Sequence, residues 1–154
     1  MVDGSLGGSV SELVVRVRLR VRSSFTSRSL ELAVLAKSGA ESARPCIVVD
    51  ESIARGLELW PSATCRALEV EEASSISEAC LIEDAVELEL LGEGSEVLSR
   101  VTADLVVQRG LIEPLITDIT IDELGIVVVS FSRGLWRHVN DPPHVVRKSA
   151  AKAH

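Results

Sequence analysis

The segment Val15–Arg22 alternates without interruption between an aliphatic residue and an arginine. Successive side chains of a β-strand point to opposite faces, so this period of two predicts a strand with a buried aliphatic face and an exposed arginine face. The arginine row has two interpretations: an anion-binding stripe, or a solvated face whose charges discourage edge pairing. We favour the second, because the acidic remainder of the chain offers these arginines many intramolecular partners.

The composition predicts that strands dominate the rest of the fold as well. Hydrophobic residues make up 46% of the 154 residues, yet aromatic residues make up only 3% and tyrosine is absent. Valine, leucine, isoleucine and alanine must therefore fill the core, and β-branched side chains pack well on pleated sheets. We predict a single all-β domain with one or two short helices over residues 12–139, between flexible segments at residues 1–11 and 140–154.

The net charge and the hydropathy pattern limit the expected partners. A formal net charge of -7 repels phosphate backbones, so nucleic acid is not expected as a partner. Residues 1–11 are polar and rich in Gly and Ser, without the pattern of a signal peptide, and no apolar run approaches the roughly 20 residues that span a bilayer. We predict a soluble, cytoplasmic protein with no membrane partner.

The cysteines and histidines do not predict a metal site. Cys46, Cys65 and Cys80 are widely spaced, and the chain has no CxxC motif and no Cys/His cluster, so we expect no metal and no cofactor. Each cysteine is interpreted as a small buried hydrophobic residue rather than as a nucleophile or half of a disulfide. The histidines, at positions 138, 144 and 154, form no constellation.

A pattern of strand, tight loop and helix occurs twice, at residues 31–57 and 113–126. In the first copy Asp50 is expected to cap a short helix, and in the second a helix covers roughly residues 119–124. The strands predicted after the first are Leu30–Ala36, Cys46–Val49, Ala63–Glu71, Cys80–Leu91, Glu96–Val107, Leu115–Asp118, Ile126–Phe131 and Gly134–Arg137, with a hairpin turn at Gly92–Gly94.

The repeated pattern resembles the retropepsin-like aspartic proteases. Leu35–Glu41 is similar to their active-site loop, which reads hydrophobic, any residue, Asp, Thr or Ser, Gly, Ala. Ile47–Leu57 looks like the family's segment that ends in hydrophobic, Ala, x, x, Leu, Gly, Leu, and residues 115–126 look like its second hydrophobic loop, helix and strand. The ending, Gly134–Arg137 and then Asp141–Pro143, resembles a prokaryotic single-domain branch of the family.

The resemblance covers about residues 12–143 and carries expectations about fold and assembly. It implies a closed or curved antiparallel β-barrel with a short helix. It also implies a homodimer, because each subunit of these proteases supplies one aspartate to a shared site. A hairpin within Cys80–Val107 is expected to include the counterpart of the flap that covers the cleft.

Lys37 stands where the resemblance places the catalytic aspartate, while Ser38, Gly39 and Ala40 keep the rest of the loop. Aspartic proteolysis requires two carboxylates that share one proton, whereas an ammonium group has three donors and no acceptor. Two Lys37 side chains facing each other at about 4 Å, at an effective dielectric constant near 20, repel by roughly 4 kcal/mol. We therefore expect no catalytic residue in this loop and no aspartic-protease activity.

Other residues are candidates to replace the missing carboxylate. Asp118 follows the second hydrophobic strand and could approach the cleft, although capping of the following helix is the role that we favour. A Ser38–Lys37 nucleophile pair is disfavoured, because adjacent residues of an extended strand point to opposite sides. Lys37 as a Schiff-base amine has no partner motif to support it.

Three functional hypotheses remain open at this point. The leading one is a catalytically inactive retropepsin-like homologue, a pseudoenzyme that acts as a dimeric peptide-binding or scaffold protein. Its ligand would be an extended peptide that adds as a strand, with Lys37 favouring an acidic one. The alternative is an active aspartic-type peptidase that uses a repositioned carboxylate such as Asp118. The third is a purely structural dimer without a ligand.

Overall fold

The structure is a computed structural model that describes residues 14–71 and 76–152. Within these residues the chain is rich in strands and has two short helices, as the composition predicts. The predicted flexible segment at residues 1–11 lies outside the described residues. The elements are β1 (Arg16–Ser23), β2 (Ser29–Ala36), β3 (Cys46–Val49), α1 (Glu51–Gly56), β4 (Arg66–Glu71), β5 (Ile76–Leu91), β6 (Val97–Gln108), β7 (Leu115–Ile116), α2 (Asp118–Glu123), β8 (Ile126–Ser130), β9 (Leu135–His138) and β10 (Arg147–Lys148).

Six strands close into a barrel in the order β1, β2, β7, β3, β6, β5, with β5 pairing back onto β1. Strand β5 is 16 residues long, which allows it to serve several neighbours. Its first residues pair with β4, most of its length pairs with β6, and its last residues pair with β1. An irregularity between Ile82 and Val86 interrupts the β5–β6 ladder, and such bulges bend and twist a strand.

The position of β7 determines where the loops of the barrel meet. Strand β7 lies between β2 and β3, parallel to β2 and antiparallel to β3. Because β2 and β7 run in the same direction, the residues that follow them emerge at the same edge of the barrel. The loop that begins at Lys37 and the start of α2 at Asp118 are therefore neighbours, although they are 81 positions apart in sequence.

Strand β1 has the two faces that its sequence predicts. Val15, Val17, Leu19 and Val21 are at most 1% exposed and belong to the barrel core. The arginines on the other face form ion pairs with acidic residues of neighbouring segments. They pair as Arg16–Glu113, Arg18–Glu31, Arg20–Glu31, Arg20–Glu89 and Arg22–Glu89, at distances of 2.7 to 4.0 Å.

A second apolar cluster lies outside the barrel. Strand β3 is buried on both faces: Ile47 and Val49 point into the barrel, while Cys46 and Val48 point outward. The outward side chains meet Val106 of β6, and residues of β4 and β5 pack over them. This cluster is the reason that the β4–β5 hairpin lies against the outside of the barrel wall.

The prediction about the cysteines is confirmed for Cys46 and wrong for the other two. Cys46 is a free, buried thiol. Cys65 and Cys80 form a disulfide, with their Cα atoms 5.5 Å apart. The antiparallel register of β4 and β5, in which Ala67 lies opposite Cys80, brings them into the range that a disulfide requires.

The segment predicted as a flexible tail from residue 140 contains hydrogen-bonded structure. Strand β10 pairs with β9, and the Arg147 guanidinium binds the Asp141 carboxylate through two hydrogen bonds of 2.8 Å. Farther along, the Ala150 amide donates to the Arg16 carbonyl at 2.8 Å, which joins this segment to β1. Neither helix in the described part of the chain has the length and apolar character needed to cross a membrane.

Candidate functional site

A cleft of about 1130 Å³ lies between the barrel wall and the β4–β5 hairpin. The loop Lys37–Arg44 forms one part of its lining, and the outward side chains of β3, β6 and β7 form another. The apolar residues that line it overlap the second cluster: Val48, Leu68, Val70, Leu81, Val106, Leu111 and Leu115. The cleft therefore has an apolar floor and a polar loop along one side.

The local sequence explains why the floor is apolar. In β6, Leu105 and Val107 face the barrel core, so the intervening Val106 must face outward. A strand with one solvated face would place a polar residue at that position. An apolar residue there marks a strand that is covered on both sides, here by the hairpin.

Backbone hydrogen bonds hold the Lys37–Ala40 loop in place. The Lys37 amide donates to the Ile116 carbonyl at 3.2 Å, and the Asp118 amide donates to the Ala40 carbonyl at 2.8 Å. Within the loop, the Ala40 amide donates to the Lys37 carbonyl at 3.2 Å. Gly39 has a φ of 89°, a conformation that other residues rarely adopt.

Lys37 lies on the lining of the cleft with an exposed side chain. Its ammonium group forms no ion pair or hydrogen bond with the residues in ranges 14–71 and 76–152, and it is therefore not paired with the nearby acidic residues Glu41 and Asp118. A lysine in this state offers three donors and a positive charge to whatever enters the cleft.

Asp118 does not occupy the role that we favoured for it. The N-cap of α2 is Thr117, which has extended backbone angles, and Asp118 is the first residue of the helix. Its two carboxylate oxygens accept the Gly39 N–H at 3.1 and 3.2 Å. Asp118 is not among the residues that line the cleft. The capping prediction is wrong because the helix begins at Asp118 itself, one residue earlier than a cap at Asp118 requires, and the carboxylate is turned toward the loop.

A chain of three hydroxyl groups, of which Thr117 and Thr120 are buried, ties the loop to α2 and β3, and the sequence alone does not predict it. The Ser42 and Thr117 hydroxyls are 2.7 Å apart, and Thr117 and Thr120 are 2.9 Å apart. Thr120 is fully buried, and its hydroxyl accepts the Cys46 amide at 2.8 Å. Burial raises the pKa of the Cys46 thiol, which lines the cleft beside these groups.

The carboxylates near the cleft are not arranged as a proton-sharing pair. Asp104 is 4% exposed and accepts hydrogen bonds from Arg44 at 3.0 Å and from the Asp84 amide at 2.9 Å. Arg44 also binds the Asp84 side chain, and both carboxylates raise the pKa of its guanidinium. No hydrogen bond joins two carboxyl side chains among the described residues.

The hairpin that lines the cleft differs from the expected one. We expected it within Cys80–Val107, but the turn at residues 92–95 between β5 and β6 does not line the cleft. The lining residues come instead from Arg66–Val70 of β4 and from Leu81 of β5. The sequence showed both pairs of strands but not which pair projects beyond the end of β6.

The described residues contain no group of three or more His, Cys, Asp or Glu side chains that could hold a metal ion. His138 is buried beside Asp141 in the β9–β10 region, where its Nδ1 accepts the Asn140 amide at 3.2 Å. It therefore takes no part in the cleft.

No protein-family model matches this sequence, and no curated protein matches it either.

Proposed function

We propose that this chain is a catalytically inactive relative of the retropepsin-like aspartic proteases, and that it binds an extended peptide as a homodimer. The observation that carries the proposal is the position of Lys37. It stands in the loop after β2, on the lining of a cleft beneath a hairpin, at the point where the resemblance expects an aspartate. A lysine there removes the proton-sharing carboxylate and leaves a donor in its place.

The arrangement of the two repeated units supports the proposed relationship. Strand β2 with its loop and β7 with α2 emerge side by side, joined by the Lys37–Ile116 and Asp118–Ala40 hydrogen bonds. In the first unit, β2 and its loop are followed by β3 and α1. In the second unit, β7 is followed by α2 and β8. Two loops that converge on one cleft fit the doubled pattern from which the resemblance was drawn.

The contacts of Asp118 argue against the alternative of an active aspartic-type peptidase. A catalytic carboxylate must reach the substrate and be free to exchange a proton. Both oxygens of Asp118 accept the Gly39 amide, and the side chain does not line the cleft. The loop and α2 would have to separate before this carboxylate could reach a ligand.

The shape and chemistry of the cleft support an extended peptide as the ligand. The apolar floor accommodates alternate side chains of a strand, and Lys37 accommodates an acidic group. Strand β4 pairs only with β5 among the described residues, so its other edge has main-chain groups available for strand addition. Both features are compatible with one subunit of a dimer and do not require catalysis.

The proposal is tested by Lys37→Asp, with Lys37→Asn as the matched control. We expect the wild type and Lys37→Asn to leave an unfolded peptide mixture intact, because neither has a carboxylate at this position. Lys37→Asp is expected to cleave it, since the symmetric dimer then contains two carboxylates that can share a proton. Cleavage is followed by mass spectrometry of the mixture.

Cleavage by the wild type that a pepstatin-like inhibitor blocks would overturn the inactivity. Equal inactivity of all three proteins, with the same unfolding curves, would show that more than Lys37 separates this cleft from a protease and would count against the proposed relationship. Peptide binding is measured separately, with fluorescently labelled acidic and amidated peptides of the same sequence. Equal affinity for the two would remove Lys37 from ligand recognition.

A further inference from the structure

The Cys65–Cys80 disulfide lies at the end of the hairpin that joins the barrel. Cys65 immediately precedes β4, and Cys80 lies in β5 just after the first pairing of that strand with β6, Ala79 with Gln108. Both cysteines are partly exposed, so a small thiol can approach the bond. The disulfide therefore links the start of β4 to β5 at the end of the hairpin nearest the barrel.

Few other contacts hold β4 in place. Among the described residues it pairs with β5 and with no other strand. Its side chains Leu68 and Val70 pack on the second apolar cluster and also line the cleft. The position of this wall of the cleft thus depends on one ladder, one apolar contact surface and the disulfide.

We infer that the redox state of the Cys65–Cys80 disulfide controls the cleft. In the oxidised form the disulfide holds β4 over the floor of the cleft, and reduction releases β4. A thiolate of a small dithiol attacks one sulfur, the S–S bond breaks, and a mixed disulfide forms. The second thiol of the reductant then displaces the other cysteine. Two electrons and two protons pass to Cys65 and Cys80, and the dithiol becomes a cyclic disulfide.

The effect of reduction should be confined to the hairpin. The bond closes a span of 15 residues in sequence, and the only barrel pairings in that span, among the described residues, are the first two of the β5–β6 ladder, Ala79 with Gln108 and Cys80 with Val107. Reduction therefore removes the closure of a short loop. Its loss is expected to lower the population of the closed hairpin about tenfold or more. Disulfides are rare in reducing compartments, so the local thiol pool would set the open fraction.

Cys46 provides an internal reporter of the closed state. Its thiol lies on the lining of the cleft and is 4% exposed, within the cluster that Leu68, Val70 and Leu81 cover. The oxidised wild type and the double variant Cys65→Ala/Cys80→Ala both have Cys46 as their single free thiol. Any difference in the reactivity of Cys46 therefore reports how well the hairpin covers this thiol, and not the number of free thiols.

The test compares the rate at which N-ethylmaleimide modifies Cys46 in these two proteins under native conditions. We expect the rate to be about tenfold higher or more in the double variant. Hydrogen exchange followed by mass spectrometry should show faster exchange in residues 66–70, both in the variant and in the wild type reduced with dithiothreitol. Exchange in β1, β2 and β3 should remain unchanged.

Three results would overturn the inference. Equal Cys46 modification rates would show that packing alone holds the hairpin. Faster exchange throughout the barrel would show that the disulfide stabilises the whole fold rather than one wall of the cleft. Failure of millimolar dithiothreitol to expose two further thiols in the folded protein, counted by alkylation after denaturation, would show that the bond is not a control element. None of these results bears on whether the cleft binds peptides, so the two proposals can fail independently.

Discussion

The Asp118 carboxylate does not line the cleft, but it holds the Lys37–Ala40 loop, which does line it. Asp118 accepts the Gly39 amide through both oxygens, while its own amide donates to Ala40. This contact fixes the loop at the residue whose positive φ makes the turn. We therefore expect Asp118 to hold the loop that carries Lys37, two residues before Gly39.

Replacing Asp118 tests this positioning role. We expect Asp118→Ala to lower the free energy of unfolding by about 1–2 kcal/mol, because it removes a charge-assisted hydrogen bond and a negative charge from the first turn of α2. Asp122→Ala, on the same helix but with an exposed side chain, should change it by less than about 0.5 kcal/mol. Urea denaturation measures both, and equal losses in the two variants would contradict the assignment.

The residue-level predictions relied on local information. Lys37, Ser38 and Gly39 are candidates because the loop motif is contiguous, and Lys37 lies on the lining of a cleft. The hydroxyl contact of Ser42 with Thr117 joins residues 75 positions apart, and no local pattern signals it. The capping error at Asp118 arose because an Asp before a helix is usually its cap, and a shift of one residue changes which side the carboxylate faces.

At the level of elements, the segment after β9 is held by an ion pair within it and by contacts with β9. Asp141 accepts the His138 amide at 2.8 Å and pairs with Arg147 of β10, which also lies over the Trp136 ring. The hydrogen bonds from Arg147 lower the pKa of Asp141 to about 2. Both side chains of the pair are only slightly exposed.

This pKa shift predicts how stability depends on pH. A carboxylate whose pKa is lower in the folded state stabilises the fold above its unfolded pKa near 4, and loses that contribution as the pH falls toward 2. We expect Asp141→Asn to lower the free energy of unfolding by about 1–2 kcal/mol at pH 7. The difference from the wild type should shrink between pH 5 and pH 2 in denaturant titrations, and a difference independent of pH would exclude the ion pair as its source.

Element boundaries can be predicted where a local pattern of apolar and polar residues marks them. Strand β3 was predicted with its observed bounds, and α1 is capped by Asp50, whose side chain accepts the Ile53 amide at 3.0 Å. The disulfide was missed because it depends on the register of β4 against β5, which two isolated strand patterns do not specify. Strand β10 was missed because its two residues show no periodicity.

On the scale of the whole molecule, the proposed homodimer has a specific electrostatic cost. Sharing the cleft across a two-fold axis would bring two Lys37 ammonium groups near each other. Like charges separated by about 4 Å at an effective dielectric constant near 20 repel by roughly 4 kcal/mol before screening by salt. The dimer must offset this repulsion by apolar contact or by an anion bound between the lysines.

The cost is measurable as a change in dimer affinity. We expect Lys37→Met to lower the dissociation constant of the dimer by about tenfold or more at low salt, because it removes the repulsion. Lys148→Met, which removes a lysine that does not line the cleft, should leave it within about twofold. Sedimentation velocity over a range of concentrations gives both constants. A wild type that stays monomeric at every concentration would exclude a shared cleft.

Strand β5 takes part in two separate tasks along one continuous backbone. Its first residues carry the hairpin, and its last residues close the barrel against β1. A residue inserted or deleted between these ends would shift one of them by one position and exchange its two faces. The bulge between Ile82 and Val86 is where such a shift could be absorbed. Outside this bulge, the length of β5 is therefore tightly constrained, because both of its ends must keep their register.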